Sequence, residues 1–170
     1  MSIAQALLPE FDAEMATTRR CLERVPENKL DYKPDPKSMS LGRLAGHVAE
    51  MPGWGSVTVQ TEELDFGKGD FKPMEMSSKA QVLEAFDKIV AESRAALAGA
   101  TDQHLMGDWS LKNNGATLMT MPRVAVLRTF VLNHTIHHRG QLSVYLRLLG
   151  EKVPSIYGPS ADEGQMGASA

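Results

Sequence analysis

A long proline-free stretch from Val124 to Gly150 constrains the fold of this chain more than any other feature. Apolar residues recur through it at intervals of three and four, which predicts one long amphipathic helix. Pro122 lies where the first turn of a helix tolerates proline, and Gly150 lies where helices commonly end. The sequence therefore predicts a long helix with one face turned toward a core.

Two histidines of this helix fall in its apolar stripe. His134 and His138 are four residues apart, so they project from nearly the same face, close to Val131 and Tyr145. A neutral imidazole is the commonest metal ligand in proteins, and this spacing lets two rings reach one ion. For an isolated pair, hydrogen-bonded core histidines or histidines at the edge of the helix are the more common explanation, because the spacing alone is not selective. The pair therefore indicates a metal site only if another segment supplies a third ligand.

The composition is typical of one globular domain. The chain has 170 residues, of which 42% are hydrophobic and 23% are charged, so it is long enough to bury a core. The formal net charge is -3 and there is no basic run, which argues against nucleic acid as the main partner. Neither a signal-peptide pattern nor an apolar stretch of ~18 residues occurs, so we expect a cytoplasmic protein that does not enter a membrane. The single cysteine, Cys21, excludes an internal disulfide and is interpreted as a small buried hydrophobe.

Three further helices are predicted from apolar stripes at helical spacing, over residues 3–24, 41–64 and 79–100. We expect Pro52, with the glycines that flank Trp54, to bend the second of these helices near its middle. Residues 65–76 are predicted to form a loop. This pattern gives four helices that each have one strongly apolar face.

One stretch, from Trp109 to Met121, has the character of strands. Asn114 and Gly115 are a hairpin turn signal between its two halves. The sequence therefore predicts an all-α protein, a four-helix bundle with a small β-hairpin before the last helix. Residues 1–155 are predicted to form this single domain, and residues 156–170 a covering segment that ends in a mobile tail.

The third imidazole comes from the second helix. His47 lies within the apolar stripe of that helix, and bundle sites are built in the core from side chains on facing helices. Three imidazoles leave one or more positions open, which is typical of a catalytic metal site and suits Zn as well as Ni, Fe or Co. His137 is the alternative second ligand, but it points about 100° away from His138. We therefore predict His47, His134 and His138 as ligands, with His137 at the rim and His104 as an exposed bystander.

Several polar and aromatic residues near the predicted ligands are candidates for further roles. Glu50 follows His47 by one turn and is a candidate fourth ligand, orienting partner or base, although a solvated helix glutamate is the alternative. Arg139 is a candidate for holding a cofactor carboxylate, and the alternative is a solvated or dimer face. Aromatic residues at helical spacing are also often simply core. The candidate cofactor-binding residues are Trp54, Arg139, Gln141 and Tyr145.

Two stretches of the chain resemble the DinB superfamily, also called DinB/YfiT-like. They are LGRLAGHVAEMPGW in the second helix and LNHTIHHRGQLSVYLRLLGEKVPSIYGPSADE from the last helix into the tail. The pattern H-x-x-H-H-R-G-Q from His134 to Gln141, together with the single upstream His47, carries the likeness. The resemblance extends over nearly the whole chain.

This resemblance implies an up-down-down-up bundle that is usually dimeric. It also implies a divalent metal, most often Zn or Ni, held by His47, His134 and His138 with water completing the shell. Relatives include transferases and isomerases that use a low-molecular-weight thiol such as bacillithiol, mycothiol or glutathione. We therefore predict a metal-dependent thiol S-transferase that acts on a small molecule. The alternatives are a metal-dependent hydrolase with Glu50 as base and a non-catalytic, stress-related dimer that binds metal or ligand.

Overall fold

The computed structural model describes residues 1–69 and 73–164, most of which lie in helices. Four long helical segments pack together, and a small sheet precedes the last of them. The elements in chain order are α1 (Ile3–Glu23), a 3-10 turn (Glu27–Lys29), α2 (Leu41–Glu50), α3 (Gly53–Gln60), β1 (Glu63–Asp65), a 3-10 turn (Phe66–Lys68), α4 (Lys79–Gly99), α5 (Asp102–Met106), β2 (Asp108–Asn113), β3 (Ala116–Pro122), α6 (Arg123–Val126), a π-helical segment (Leu127–Asn133) and α7 (His134–Leu148).

Serine side chains begin three of the long helices. The Ser2 hydroxyl accepts from the Gln5 amide while the Gln5 side chain accepts from the Ser2 amide, which completes a capping box at α1. The hydroxyls of Ser40 and Ser78 cap α2 and α4, accepting from the amides of Arg43 and Gln81. These caps fix the helix starts close to where the sequence predicts them.

The second helical segment bends at Pro52, as predicted. Pro52 has no amide hydrogen to donate, so α2 ends at Glu50 and α3 begins at Gly53. The Ser93 hydroxyl donates at 2.6 Å to the Pro52 carbonyl, which also accepts from the Gly55 amide at 2.9 Å. The same hydroxyl accepts from the Ser56 amide at 3.1 Å. The bend is therefore held by α4, which crosses behind it.

The prediction that this helix continues to residue 64 is wrong. Glu63–Asp65 forms β1 instead, which pairs in parallel with β2. The Asp65 carboxylate accepts from the Gly67 amide at 2.9 Å and from the Gly115 amide at 2.8 Å. The carboxylate thus ties the end of β1 to the hairpin turn, which a continued helix does not allow.

The predicted hairpin is present as β2 and β3, with β1 as an unpredicted third strand on its edge. Asn114 and Gly115 have φ of 50° and 82°, the left-handed values that a two-residue hairpin turn requires. One face of the sheet packs on the helices around the buried Trp109, Leu111 and Val126. The sheet therefore forms a second, smaller core beside α3 and α6.

The last helix extends nearly as far as predicted, from Arg123 to Leu148. Its π-helical segment from Leu127 to Asn133 has no sequence signature that we can identify. Beyond it, the carboxylates of Asp162 and Glu163 bind arginines on the bundle, Asp162 pairing with Arg147 and Glu163 with Arg20. Residues 165–170, in the predicted mobile tail, lie outside the described residues.

The main core fills the space between the four helical segments. Its members are apolar side chains from all of them, including Phe11, Leu44, Phe86 and Leu142. Among the described residues, no helix is both long and apolar enough to cross a bilayer.

Candidate metal centre

Three imidazoles meet between α2 and α7. His47 comes from α2, and His134 and His138 lie one turn apart at the start of α7. One ring nitrogen from each lies within 4.8 Å of the others. The ring centroid of His47 is 5.4 Å from that of His134 and 4.5 Å from that of His138. The predicted convergence of these three rings is confirmed.

Hydrogen bonds fix the orientation of two of the rings. Nδ1 of His47 lies 2.8 Å from Oε1 of Glu50, and Nδ1 of His138 lies 2.7 Å from Oε1 of Gln141. Because these oxygens accept hydrogen bonds, both Nδ1 atoms donate. In the neutral form of either ring, Nε2 is then the unprotonated nitrogen, which is the one available to bind a metal.

His134 and His138 face one another through their Nε2 atoms, which are 2.7 Å apart. Since Nε2 of His138 accepts, His134 must carry its proton on Nε2 and donate it. Two imidazoles on a tetrahedral ion with bonds of about 2.0–2.1 Å have their nitrogens roughly 3.3 Å apart. To bind an ion, the two Nε2 atoms must therefore move apart by less than about 1 Å. The His134 proton must also move from Nε2 to Nδ1.

The two imidazoles of α7, His134 and His138, are held in their neutral form. Burial, helped by the neighbouring imidazoles, lowers the pKa of His138 to about 4, although the hydrogen bond to Gln141 acts in the opposite direction. Burial and the rings of His47 and His137 lower the pKa of His134 as well. Neutral rings are the ones that ligate metals, so the donor set is suited to a divalent cation at neutral pH.

Glu50 orients His47 and is not a solvated residue, so that alternative interpretation is wrong. Its side chain is only 10% exposed and binds Arg43 at 3.1 Å in addition to His47. Its second oxygen accepts from the Met74 amide at 2.6 Å. Burial alone raises the pKa of Glu50, but the hydrogen bonds from His47 and Met74 and the charge of Arg43 outweigh it and lower the pKa.

Arg139 points toward α1, where it is buried, so the interpretation as a solvated or dimer-face residue is wrong. Its guanidinium donates to the Glu14 carbonyl at 3.1 Å and pairs with the Glu14 carboxylate at 2.7 Å. It also donates to the Tyr157 hydroxyl at 2.8 Å. The guanidinium group that the sequence suggested for binding a cofactor carboxylate is therefore already bound to groups of the protein itself.

The remaining candidates lie along two clefts. Gln141 and Tyr145 line a cleft of about 370 Å³ together with His138, and the Tyr145 hydroxyl donates to the Met39 carbonyl at 3.1 Å. Trp54 lines a second cleft of about 260 Å³ in which Glu50 forms part of the wall. One cleft therefore reaches the three-histidine cluster at His138, and the other reaches it at Glu50, the hydrogen-bond partner of His47.

The other two histidines stay outside the cluster. His137 is exposed, with its ring centroid 4.8 Å from that of His138, which agrees with a rim position. His104 also lies outside the cluster, which agrees with its interpretation as a bystander, but the prediction that it is exposed is wrong. Its Nε2 donates to the Val59 carbonyl at 2.7 Å and the residue is half-buried.

Sequence reasoning missed Arg43, which supports Glu50. The two residues are seven positions apart on α2, so helical spacing already places them on one face. The sequence also suggested Gln141 as a cofactor-binding residue. In the structure, its side-chain oxygen accepts a hydrogen bond from Nδ1 of His138.

These features define a mostly helical protein in which histidines from two helices form a candidate metal centre. The chain belongs to the DinB family, whose model matches residues 1–168. It is 27% identical over 158 residues to the uncharacterized protein YrdA of Bacillus subtilis, covering 91% of this chain and 86% of that protein.

Two solved structures share the fold. A DinB-like protein from Bacillus cereus ATCC 10987 matches with a TM-score of 0.70 and 24% identity, over 92% of this chain and 98% of its own. The DinB-like protein YjoA from Bacillus subtilis matches with a TM-score of 0.71 and 20% identity, over 89% and 97%. At these identities the likeness concerns the fold alone.

Proposed function

We propose that this protein is a divalent-metal-dependent enzyme in which His47, His134 and His138 hold the ion, with Zn or Ni as the metal. The observation that carries the proposal is the meeting of three imidazoles, two of which have Nδ1 fixed by a partner. Three protein ligands leave room for a further ligand, as in catalytic sites. Glu50 and Gln141 hold His47 and His138 in the ligating orientation.

The proposed reaction is transfer of a low-molecular-weight thiol to an electrophilic carbon. A bound divalent cation supplies positive charge that lowers the pKa of a thiol beside it. The thiol proton passes to solvent, the sulfur forms a C–S bond, and the leaving group departs with the electron pair of the broken bond. The resemblance of the HHRGQ segment to thiol-dependent relatives supports this choice over other metal chemistry.

We also propose four features of the fold, the assembly and the location of the protein. They are the up-down-down-up order of the helices, assembly as a homodimer, a cytoplasmic location and the division into residues 1–155 and 156–170. Analytical ultracentrifugation tests the assembly, and a single sedimenting species with the mass of one chain would contradict it.

The metal claim is tested by elemental analysis of purified protein and of single alanine variants. We expect about one equivalent of metal in the unaltered protein and strong loss in His47→Ala, His134→Ala and His138→Ala. His137→Ala and His104→Ala are matched controls that should keep the metal. Loss of metal at His137 with retention at His138 would contradict the ligand assignment.

The reaction is tested by turnover of chlorodinitrobenzene with bacillithiol, mycothiol or glutathione, in parallel with ester cleavage without thiol. Thiol-dependent turnover that disappears in His138→Ala supports the transferase. Thiol-independent ester cleavage would instead support the hydrolase. Stoichiometric metal without either activity would support the non-catalytic module.

A further inference from the structure

The cleft beside α3 has an aromatic wall whose geometry is fixed from behind. Trp54 stacks on Phe130 with ring centroids 6.2 Å apart and an interplanar angle of 18°. Phe66, which also lines the cleft, meets Trp54 edge to face with ring centroids 5.7 Å apart. Val57 and Leu64 complete the apolar lining among the described residues. A flat ring fits such a wall because offset stacking and edge contacts are the arrangements that aromatic pairs prefer.

The polar groups of the cleft are already engaged. Both oxygens of Glu50 accept hydrogen bonds, one from His47 and the other from the Met74 amide. Both oxygens of Asp65 accept backbone amides. Arg43 and Lys68 pair with these carboxylates at 3.1 and 3.8 Å, and the described lining residues include no cation. An anionic ligand would therefore find no unpaired positive charge among them, which favours a neutral ligand.

The cleft adjoins the three-histidine cluster through Glu50. This residue lines the cleft and also holds Nδ1 of His47 at 2.8 Å. A molecule in the cleft is thus separated from a candidate metal ligand by one side chain. The volume of about 260 Å³ is suited to one substituted aromatic ring.

We propose that this cleft is the acceptor site and that it binds a neutral, electron-poor aromatic electrophile against Trp54. The acceptor role rests on the proposed transferase function, whereas binding in the cleft is measurable without turnover. The anionic thiol, which would find no unpaired cation among the described lining residues of the cleft, would reach the cluster from the side of His138.

Binding is tested by fluorescence, since Trp54 and Trp109 are the tryptophans of the chain. In metal-loaded protein carrying Trp109→Phe, neutral meta-dinitrobenzene, which lacks a leaving group, should quench Trp54 saturably. Val57→Phe, which fills the cleft with an apolar ring, should weaken this binding at least about tenfold. Dinitrobenzoate, of similar size but anionic, should bind more weakly than the neutral probe. Circular dichroism and metal content establish that each variant is folded.

A kinetic measurement separates the two proposals. With chlorodinitrobenzene as acceptor, Val57→Phe should raise the KM for the acceptor and leave the KM for the thiol unchanged. Thiol-dependent turnover with no saturable quenching, or with quenching that Val57→Phe does not change, would overturn the cleft assignment while the transferase stands. Saturable quenching that Val57→Phe weakens, without turnover by any thiol, would uphold the aromatic site and refute the transferase.

Discussion

Replacing Arg139 with methionine should destabilise the protein strongly without removing its metal. Arg139 is 1% exposed at the side chain and pairs with Glu14, which is 10% exposed. Methionine keeps most of the apolar stem but leaves the Glu14 carboxylate buried without its cation. Removing one partner of a buried pair costs about 3–5 kcal/mol in the free energy of unfolding. Each kcal/mol lowers the Tm of a domain this size by ~2–4 °C.

Arg128→Met is the matched control, because Arg128 pairs with Glu10 across the same two helices in an exposed position. The two side chains there are 44% and 37% exposed, so the loss should be only about 0–1 kcal/mol. Adding Glu14→Gln to Arg139→Met should restore part of the stability, since the unpaired charge is removed.

Urea unfolding at fixed metal concentration measures these differences, and elemental analysis measures the metal. Equal losses for Arg128→Met and Arg139→Met would refute the argument from burial. A thiol KM that rises in Arg139→Met with unchanged stability would refute the structural role and restore Arg139 as a cofactor ligand.

Three further predictions concern groups at or near the histidine cluster and the buried thiol. Glu50→Gln should weaken metal affinity about 10- to 100-fold, measured by chelator competition, because the charge that supports His47 is lost; unchanged affinity would contradict the orienting role. Metal-free protein should lose stability as the pH falls from about 6.5 toward 4, because the unfolded chain protonates His138 first and the folded pKa is lowered to about 4; urea midpoints across this range should flatten in His138→Gln. Burial raises the pKa of Cys21 to about 11, so an aromatic disulfide reagent should react with it only on unfolding, and rapid native labelling would contradict this.

The convergence of the imidazoles was predictable because it depends on helical periodicity. His47 and the pair at His134 and His138 lie in apolar stripes, and apolar stripes of neighbouring helices face each other. The bend at Pro52 was predictable for a similarly local reason, the missing amide hydrogen. Features that one helix determines by itself are readable from the sequence.

Strand β1 was not predictable in this way. Glu63–Asp65 is compatible with a helix, and it becomes a strand because it pairs with Ser110 to Lys112, far along the chain. The carboxylate of Asp65 secures that pairing through the Gly115 amide. Such non-local partners leave no periodic signal in the segment itself.

The surroundings of Arg139 and Glu50 show a different limit. Periodicity placed Arg139 about 100° from His138 but does not reveal that α1 covers this direction. Glu50 is covered by the chain segment at Met74. This segment lies so close to α2 that a side chain at position 46, which is glycine, would overlap the Met74 carbonyl. A helical angle states where a side chain points, while its burial depends on which element crosses there.

The three candidate ligands differ in how firmly their protons are placed. His47 and His138 each donate from Nδ1 to the residue three positions onward, Glu50 and Gln141, so each helix encodes the tautomer of its own ligand. The equivalent position after His134 is the exposed His137, and no hydrogen bond to Nδ1 of His134 is found among the described residues. His134 instead uses its Nε2 proton to bridge to His138. The rearrangement that a metal ion requires is therefore concentrated in His134, whereas His47 and His138 already present the ligating nitrogen.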